Sequence, residues 1–120
     1  MLSYILIAIV LGVMTEALAY ALSLWWYRNA WMRIPNVLLV FGVIYGALSW
    51  ATAQQSLLVQ FIPGAAFGLC YEWINDRWLK IWHFPGDPWT WLKGRRAVIS
   101  VGLAWGFVPP IVVWLVWTLA

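Results

Sequence analysis

Four long apolar runs, separated by short polar breaks, set the pattern of the chain. They fall at about Leu2 to Trp26, Val37 to Ala53, Leu57 to Ile81 and Val98 to Leu119. A helix rises about 1.5 Å per residue, so each run approaches the thickness of a bilayer's hydrocarbon core. These runs are read as four membrane-spanning helices. The break at Gln54-Gln55 is so short that spans two and three must be antiparallel neighbours. Ala17-Leu18-Ala19 faintly resembles a cleavage site, but no basic residue precedes the first apolar stretch, so it is read as a span rather than a signal peptide.

Small and polar residues recur at four-residue spacing, which keeps them on one helix face. Span one carries Ala8, Gly12, Glu16 and Tyr20, and span three carries Gly64, Gly68, Glu72 and Asp76. Gly42 with Gly46 and Gly102 with Gly106 mark spans two and four. In lipid, such seams let helix backbones approach closely. The halves also match each other. An offset of 56 superimposes Gly12, Glu16 and Trp26 on Gly68, Glu72 and Trp82, and an offset of 60 superimposes Gly42 and Gly46 on Gly102 and Gly106. The expected fold is therefore all-α: a polytopic integral membrane four-helix bundle, one domain over residues 1–120, built from a parallel two-helix repeat about an axis along the membrane normal. Pro63 and Pro109-Pro110 are expected to kink spans three and four.

Composition agrees with this reading. The chain is 65% hydrophobic and 9% charged, whereas a soluble domain carries about a quarter charged residues. Water-soluble enzyme folds, nucleic-acid-binding modules and disordered tails are thereby excluded. The net charge of +3 is better explained by where the charges sit. Arg28 and Arg33 lie between spans one and two, and Arg77, Lys80, Lys93, Arg95 and Arg96 lie around the connection between spans three and four. With four spans these connections share a side, and the positive-inside bias places it in the cytoplasm, with both termini outside, in a bacterial inner membrane. Most of the 12 Trp residues fall near these interfaces and read as aromatic belts. The single Cys70 cannot form an internal disulfide.

The chemistry concentrates on Glu16 and Glu72. Each lies ten residues from an interfacial Trp (Trp26 or Trp82), about 15 Å along its helix. A charge at mid-bilayer costs at least about 3 kcal/mol, so each must be protonated, paired or turned to a wet cavity. The candidate substrate- or ion-binding set is Glu16, Glu72, Tyr20, Tyr71 and Asp76, suited to a proton, a cation or an amine. If the pseudo-axis brings the two glutamates together, they can share one proton. No basic residue is expected at their depth, although Arg77 could reach back towards Glu72. The structural alternative is a protonated Glu bonded to Tyr20, Tyr71, Tyr45 or a kink carbonyl. The turn at Pro85-Gly86-Asp87-Pro88 and the basic cluster after it suit orientation and contact with anionic lipid. His83 is the only histidine and reads as a loop residue, so no metal site is expected and no cofactor is singled out. No HExxH, paired CxxC, phosphate loop or Ser-His-Asp set is present.

Glu72, Trp82-His83-Phe84-Pro85, Pro88, Gly94 and Trp105-Gly106 resemble the signature of a family of small bacterial membrane proteins catalogued as ABC-transporter permease-like. That family carries an intramembrane Glu, a Trp-acid-Tyr-Ser turn with a downstream Pro and Gly, and a span beginning with Trp-Gly. The match covers 35 residues, Glu72 to Gly106, with His83 standing where an acid is expected and one extra residue between Pro88 and Gly94. The resemblance implies a permease-like role. The chain also resembles intramembrane terpenoid cyclases in holding acids among apolar spans, but lacks their Pro-x-Glu-Glu motif. Three functions are therefore open: transport, a non-catalytic subunit of a larger membrane complex, and acid catalysis on a lipid or isoprenoid. The expected partners are the lipid bilayer and either further copies of the chain, as a homo-oligomer, or a larger membrane complex, with no nucleic acid.

Overall fold

The computed structural model describes residues 1–84 and 94–119, and of Gly94 and Arg95 the backbone alone. The turn Pro85-Gly86-Asp87-Pro88, together with Trp89, Trp91 and Lys93, lies outside the described residues. The fold is all-α. Helix α1 spans Leu2–Ala21, α2 Ala30–Thr52 and α3 Leu57–Leu79, while α4 begins at Gly94 and ends at Leu119. Each is long and apolar enough to cross a membrane.

The helix ends differ from the hydropathy boundaries for physical reasons. Helix α1 stops at Ala21, short of Trp26, because Ser23 turns left-handed (φ 52°) while the Leu24 N–H closes back on the Ala19 carbonyl at 2.9 Å. Helix α3 stops the same way: Lys80 is left-handed (φ 51°) and its N–H donates to the Asn75 carbonyl at 2.8 Å. Helix α2 starts at Ala30 rather than Val37, so its polar first turns belong to the helix. The Asn75 side chain then sets the exit path: its Oδ1 accepts from the Ile81 and Trp82 N–H groups and its Nδ2 donates to the Trp82 carbonyl.

The two exits meet. Strand β1, Trp26–Tyr27, pairs antiparallel with β2, Trp82–His83, in the register Trp26 to His83 and Tyr27 to Trp82. The Arg28 N–H adds a bond to the Ile81 carbonyl at 2.7 Å. Both basic connections thus lie at one end of the bundle, and at the other end Trp117 Nε1 donates to the Tyr4 hydroxyl. One apolar cluster, around Ala8, Phe41, Tyr45 and Val112, fills the terminal half, and a second, of Ala19, Trp25, Trp82 and Val101, fills the looped half.

Two departures from α-helical winding matter. Over Asn36–Tyr45, α2 winds with i→i+5 bonds. Over Trp105–Phe107, α4 tightens into a 3₁₀ turn, with the Val108 N–H bonded to the Trp105 carbonyl. The cause lies in the sequence, because Pro109 and Pro110 lack the N–H groups that the Trp105 and Gly106 carbonyls would otherwise accept from.

Helix α3 meets α4 at Gly68, where an added Cβ would fall 2.5 Å from the Gly102 carbonyl oxygen, a backbone atom. At Gly106 the clash would be with the Phe61 ring, whose far end can shift. Gly68→Ala should therefore cost about 1–3 kcal/mol and Gly106→Ala clearly less, as read from unfolding midpoints of the detergent-solubilised protein. Equal midpoints would contradict the close backbone contact.

Candidate functional site

Glu16 and Glu72 both point into the bundle, with exposures of 6% and 1%, and line the same cavity between the two apolar clusters. Its volume is about 10 Å³, room for about one water. The surrounding donors serve the two carboxyl groups differently.

At Glu16, Oε1 accepts from the Tyr27 hydroxyl and from Asn36 Nδ2 (3.1 Å), and Oε2 from Trp25 Nε1 (3.2 Å). Arg33 Nε lies 4.0 Å from Oε2, an ion pair without a hydrogen bond. The guanidinium is also held over the rings of Tyr20 and Tyr27, at 5.2 and 5.1 Å from their centroids. Glu72 has two described donors, both neutral indoles: Trp82 Nε1 at 3.0 Å and Trp105 Nε1 at 2.9 Å.

Asn36 joins the two sides. Its Nδ2 donates to Glu16 and to the Tyr27 oxygen (2.8 Å), and its Oδ1 accepts from the Tyr71 hydroxyl (3.0 Å). Tyr71 packs edge-on against Trp82, the donor to Glu72. Tyr27, on the connection outside the helices, is held above the ordinary phenol pKa by burial and by the Glu16 charge. It therefore stays protonated and remains a donor across physiological pH.

Helix winding explains how α2 contributes. Residues nine apart in an ordinary α-helix, at about 100° each, lie on opposite faces. Slower i→i+5 winding, between four and five residues per turn, brings Asn36, Val40, Phe41 and Tyr45 to one wall of the cavity. The Tyr45 hydroxyl then donates to the Gly64 carbonyl at 3.0 Å, tying α2 to α3.

Of the five sequence candidates, Glu16, Glu72 and Tyr71 come together. Tyr20 and Asp76 do not. Tyr20 is 64% exposed and lies outside the cavity, touching the Arg33 guanidinium with its ring. Asp76 lies exposed beside Arg77, in a surface groove with Trp73, Val98 and Ile99. The cause is helical drift: a strict four-residue stripe falls behind 3.6 residues per turn, so the third step is three residues. The buried positions are Ala8, Gly12, Glu16 and Ala19 in α1; in α3 the matching positions Gly64, Gly68, Glu72 and Asn75 are buried, together with Gln60 and Ala65.

The expectation that no base lies at the carboxylates' depth is corrected by Arg33, which the early start of α2 brings to Glu16. Arg77 is exposed and does not take that role. Two Trp residues assigned to the belt, Trp25 and Trp82, are only 8% and 6% exposed and act as carboxyl donors. Trp26, Trp31, Trp50, Trp73, Trp78, Trp114 and Trp117 are exposed.

No family model matches the chain, and neither a curated protein nor a solved structure is significantly similar to it.

Removing a donor from a buried carboxyl costs about 1–3 kcal/mol. Trp82→Phe should lower the unfolding free energy by that amount, whereas Trp78→Phe, on the exposed face, should stay within about 0.5 kcal/mol of the parent. Equal effects would show that Trp82 is belt rather than donor. Asn36→Leu withdraws partners from Glu16, Tyr27 and Tyr71 at once and should cost more than Trp82→Phe in the same assay.

Proposed function

We propose that the chain is an integral membrane protein of transporter- or permease-like character whose two carboxyl groups bind and pass a proton. The observation that carries this reading is that Glu16 and Glu72 line one cavity with room for about one water. A proton or hydronium fits that volume, whereas an amine-bearing solute or an isoprenoid does not. Tyr71, Asn36 and Tyr27 supply a continuous chain of hydrogen-bonding groups leading to Glu16.

The two carboxyls divide the work. Glu72, whose described donors are both neutral, receives the proton, and Glu16, with Arg33 beside it, is the carboxyl that takes it on. The proton leaves Glu72 through the cavity water, and the Tyr27 phenol holds Glu16 in place to accept it.

The parallel two-helix repeat belongs to the same proposal. The buried series in α1 and α3 are related by the offset of 56, and the β1–β2 register exchanges repeat-related positions, as a two-fold between the halves requires. The basic connections face the cytoplasm of a bacterial inner membrane and the termini face outward, which follows from the positive-inside bias. Four helices enclose little more than this cavity, so a homo-oligomer or a larger membrane complex completes the pathway. The likeness to the permease-like family in Glu72 and Trp105-Gly106 points the same way.

Purified protein in liposomes, with an imposed pH difference and an internal pH dye, tests the proposal. Glu72→Gln should reduce proton uptake by about tenfold or more, with Glu16→Gln also impaired and helix content unchanged in both. Uptake in Glu72→Gln equal to the parent would overturn it.

A further inference from the structure

A second cavity lies on the outer face of the bundle, between α1 and α2. It is an open groove of about 320 Å³ walled by Ile9 and Val13 on one side and Ile34, Val37 and Leu38 on the other. Its only polar lining residues are Glu16 and Arg33. The walls from Ile9 to Glu16 cover two turns of helix, about 10 Å. One apolar channel thus has charge at a single end, the end bearing the basic connections.

The hydrogen bonding of that charged end is lopsided. Glu16 gives both carboxyl oxygens to other donors: Oε1 to Tyr27 and Asn36, and Oε2 to Trp25. Arg33 Nε, 4.0 Å away, has no hydrogen-bond acceptor although it is buried. The guanidinium is held in place by the Tyr20 and Tyr27 rings, which accept no N–H in the plane of the fork. With Nε buried on the Glu16 side, the remaining donors of the planar guanidinium, held in place by the two rings, match the oxygens of a phosphate. Arg33 is 29% exposed at side-chain level, so its fork can be reached from the groove.

We propose that this groove is a site for an anionic glycerophospholipid, with its phosphate on the Arg33 guanidinium and one acyl chain along Ile9, Val13, Val37 and Leu38. The neighbouring Arg28 adds positive charge on the same connection. The site is separate from the proton cavity, sharing with it only the two sides of Glu16, and stands whether or not the chain conducts protons.

Native mass spectrometry of the detergent-solubilised full chain tests this, with phosphatidylglycerol and phosphatidylcholine of identical acyl chains added at equal concentration. The parent protein should retain one phosphatidylglycerol with about tenfold preference. Arg33→Gln should bring the two lipids within about twofold. Val13→Phe combined with Leu38→Phe fills the groove from positions that face outward, and should lower phosphatidylglycerol retention by about tenfold with Arg33 intact. Leu103→Phe, on an exposed face of α4, should leave it unchanged. Circular dichroism checks that each variant folds, and if Arg33→Gln does not, the groove-filling variant decides. Equal retention of both lipids by the parent, or undiminished phosphatidylglycerol binding in the filled groove, would overturn the proposal.

Discussion

A carboxyl group placed among apolar helices must find most of its donors within the protein, because bulk water does not surround it there. Two such groups in so short a chain impose that demand twice. Much of the structure can be understood as its answer: Trp25 and Tyr27 come from the first connection, Trp82 from the second, Asn36 from α2 and Trp105 from α4. The connections can deliver their side chains only if they are fixed. The left-handed turns at Ser23 and Lys80, the Asn75 clamp and the β1–β2 pairing fix them. Even the irregular winding has this effect, since i→i+5 bonding in α2 lines up Asn36 with Tyr45, and the 3₁₀ turn before Pro109 includes Trp105.

Much of the architecture is legible in the apolar runs, because spanning length and glycine seams follow directly from rise per residue and close packing. The burial of Glu16 and Glu72 was legible too, but not their distance from the Trp residues: α1 ends at Ala21 and α3 at Leu79, and the chain folds back, so Trp82 donates to Glu72 instead of lying about 15 Å away along one helix. The donors were not, and the reasons are specific. Trp25 and Trp82 have the same composition signal as interfacial Trp; what distinguishes them is the backbone path after each helix, which hydropathy does not encode. Asn36 and Arg33 sit ahead of the apolar run and read as loop, although a polar helical turn placed before a span can be buried by its neighbours. Tyr20 and Asp76 were drawn in by rounding 3.6 to 4. Ala19 and Asn75, one residue earlier in each helix, were available to a strict count.

The two carboxyl sites occupy matching positions yet differ in charge environment. Arg33 stands beside Glu16, where Coulomb attraction offsets part of the burial penalty. At Glu72 the described donors are indoles, which hydrogen-bond without supplying charge. Similar backbone placement is thus combined with dissimilar partners. Arg33 Nε, at 4.0 Å from Oε2, makes no hydrogen bond, while both Glu16 oxygens accept from Trp25, Tyr27 and Asn36.

Glu16 and Glu72 are the only glutamates in the chain, so labelling glutamate with carbon-13 at the side-chain carboxyl marks these two groups alone. Solid-state NMR of the labelled protein in lipid, followed across pH, tests most directly whether they share a cavity. The expected result is two resonances that respond to pH together, with the Glu16 signal changing its response in Glu72→Gln. Two signals that titrate independently, each like a carboxylate in open water, would contradict a common site.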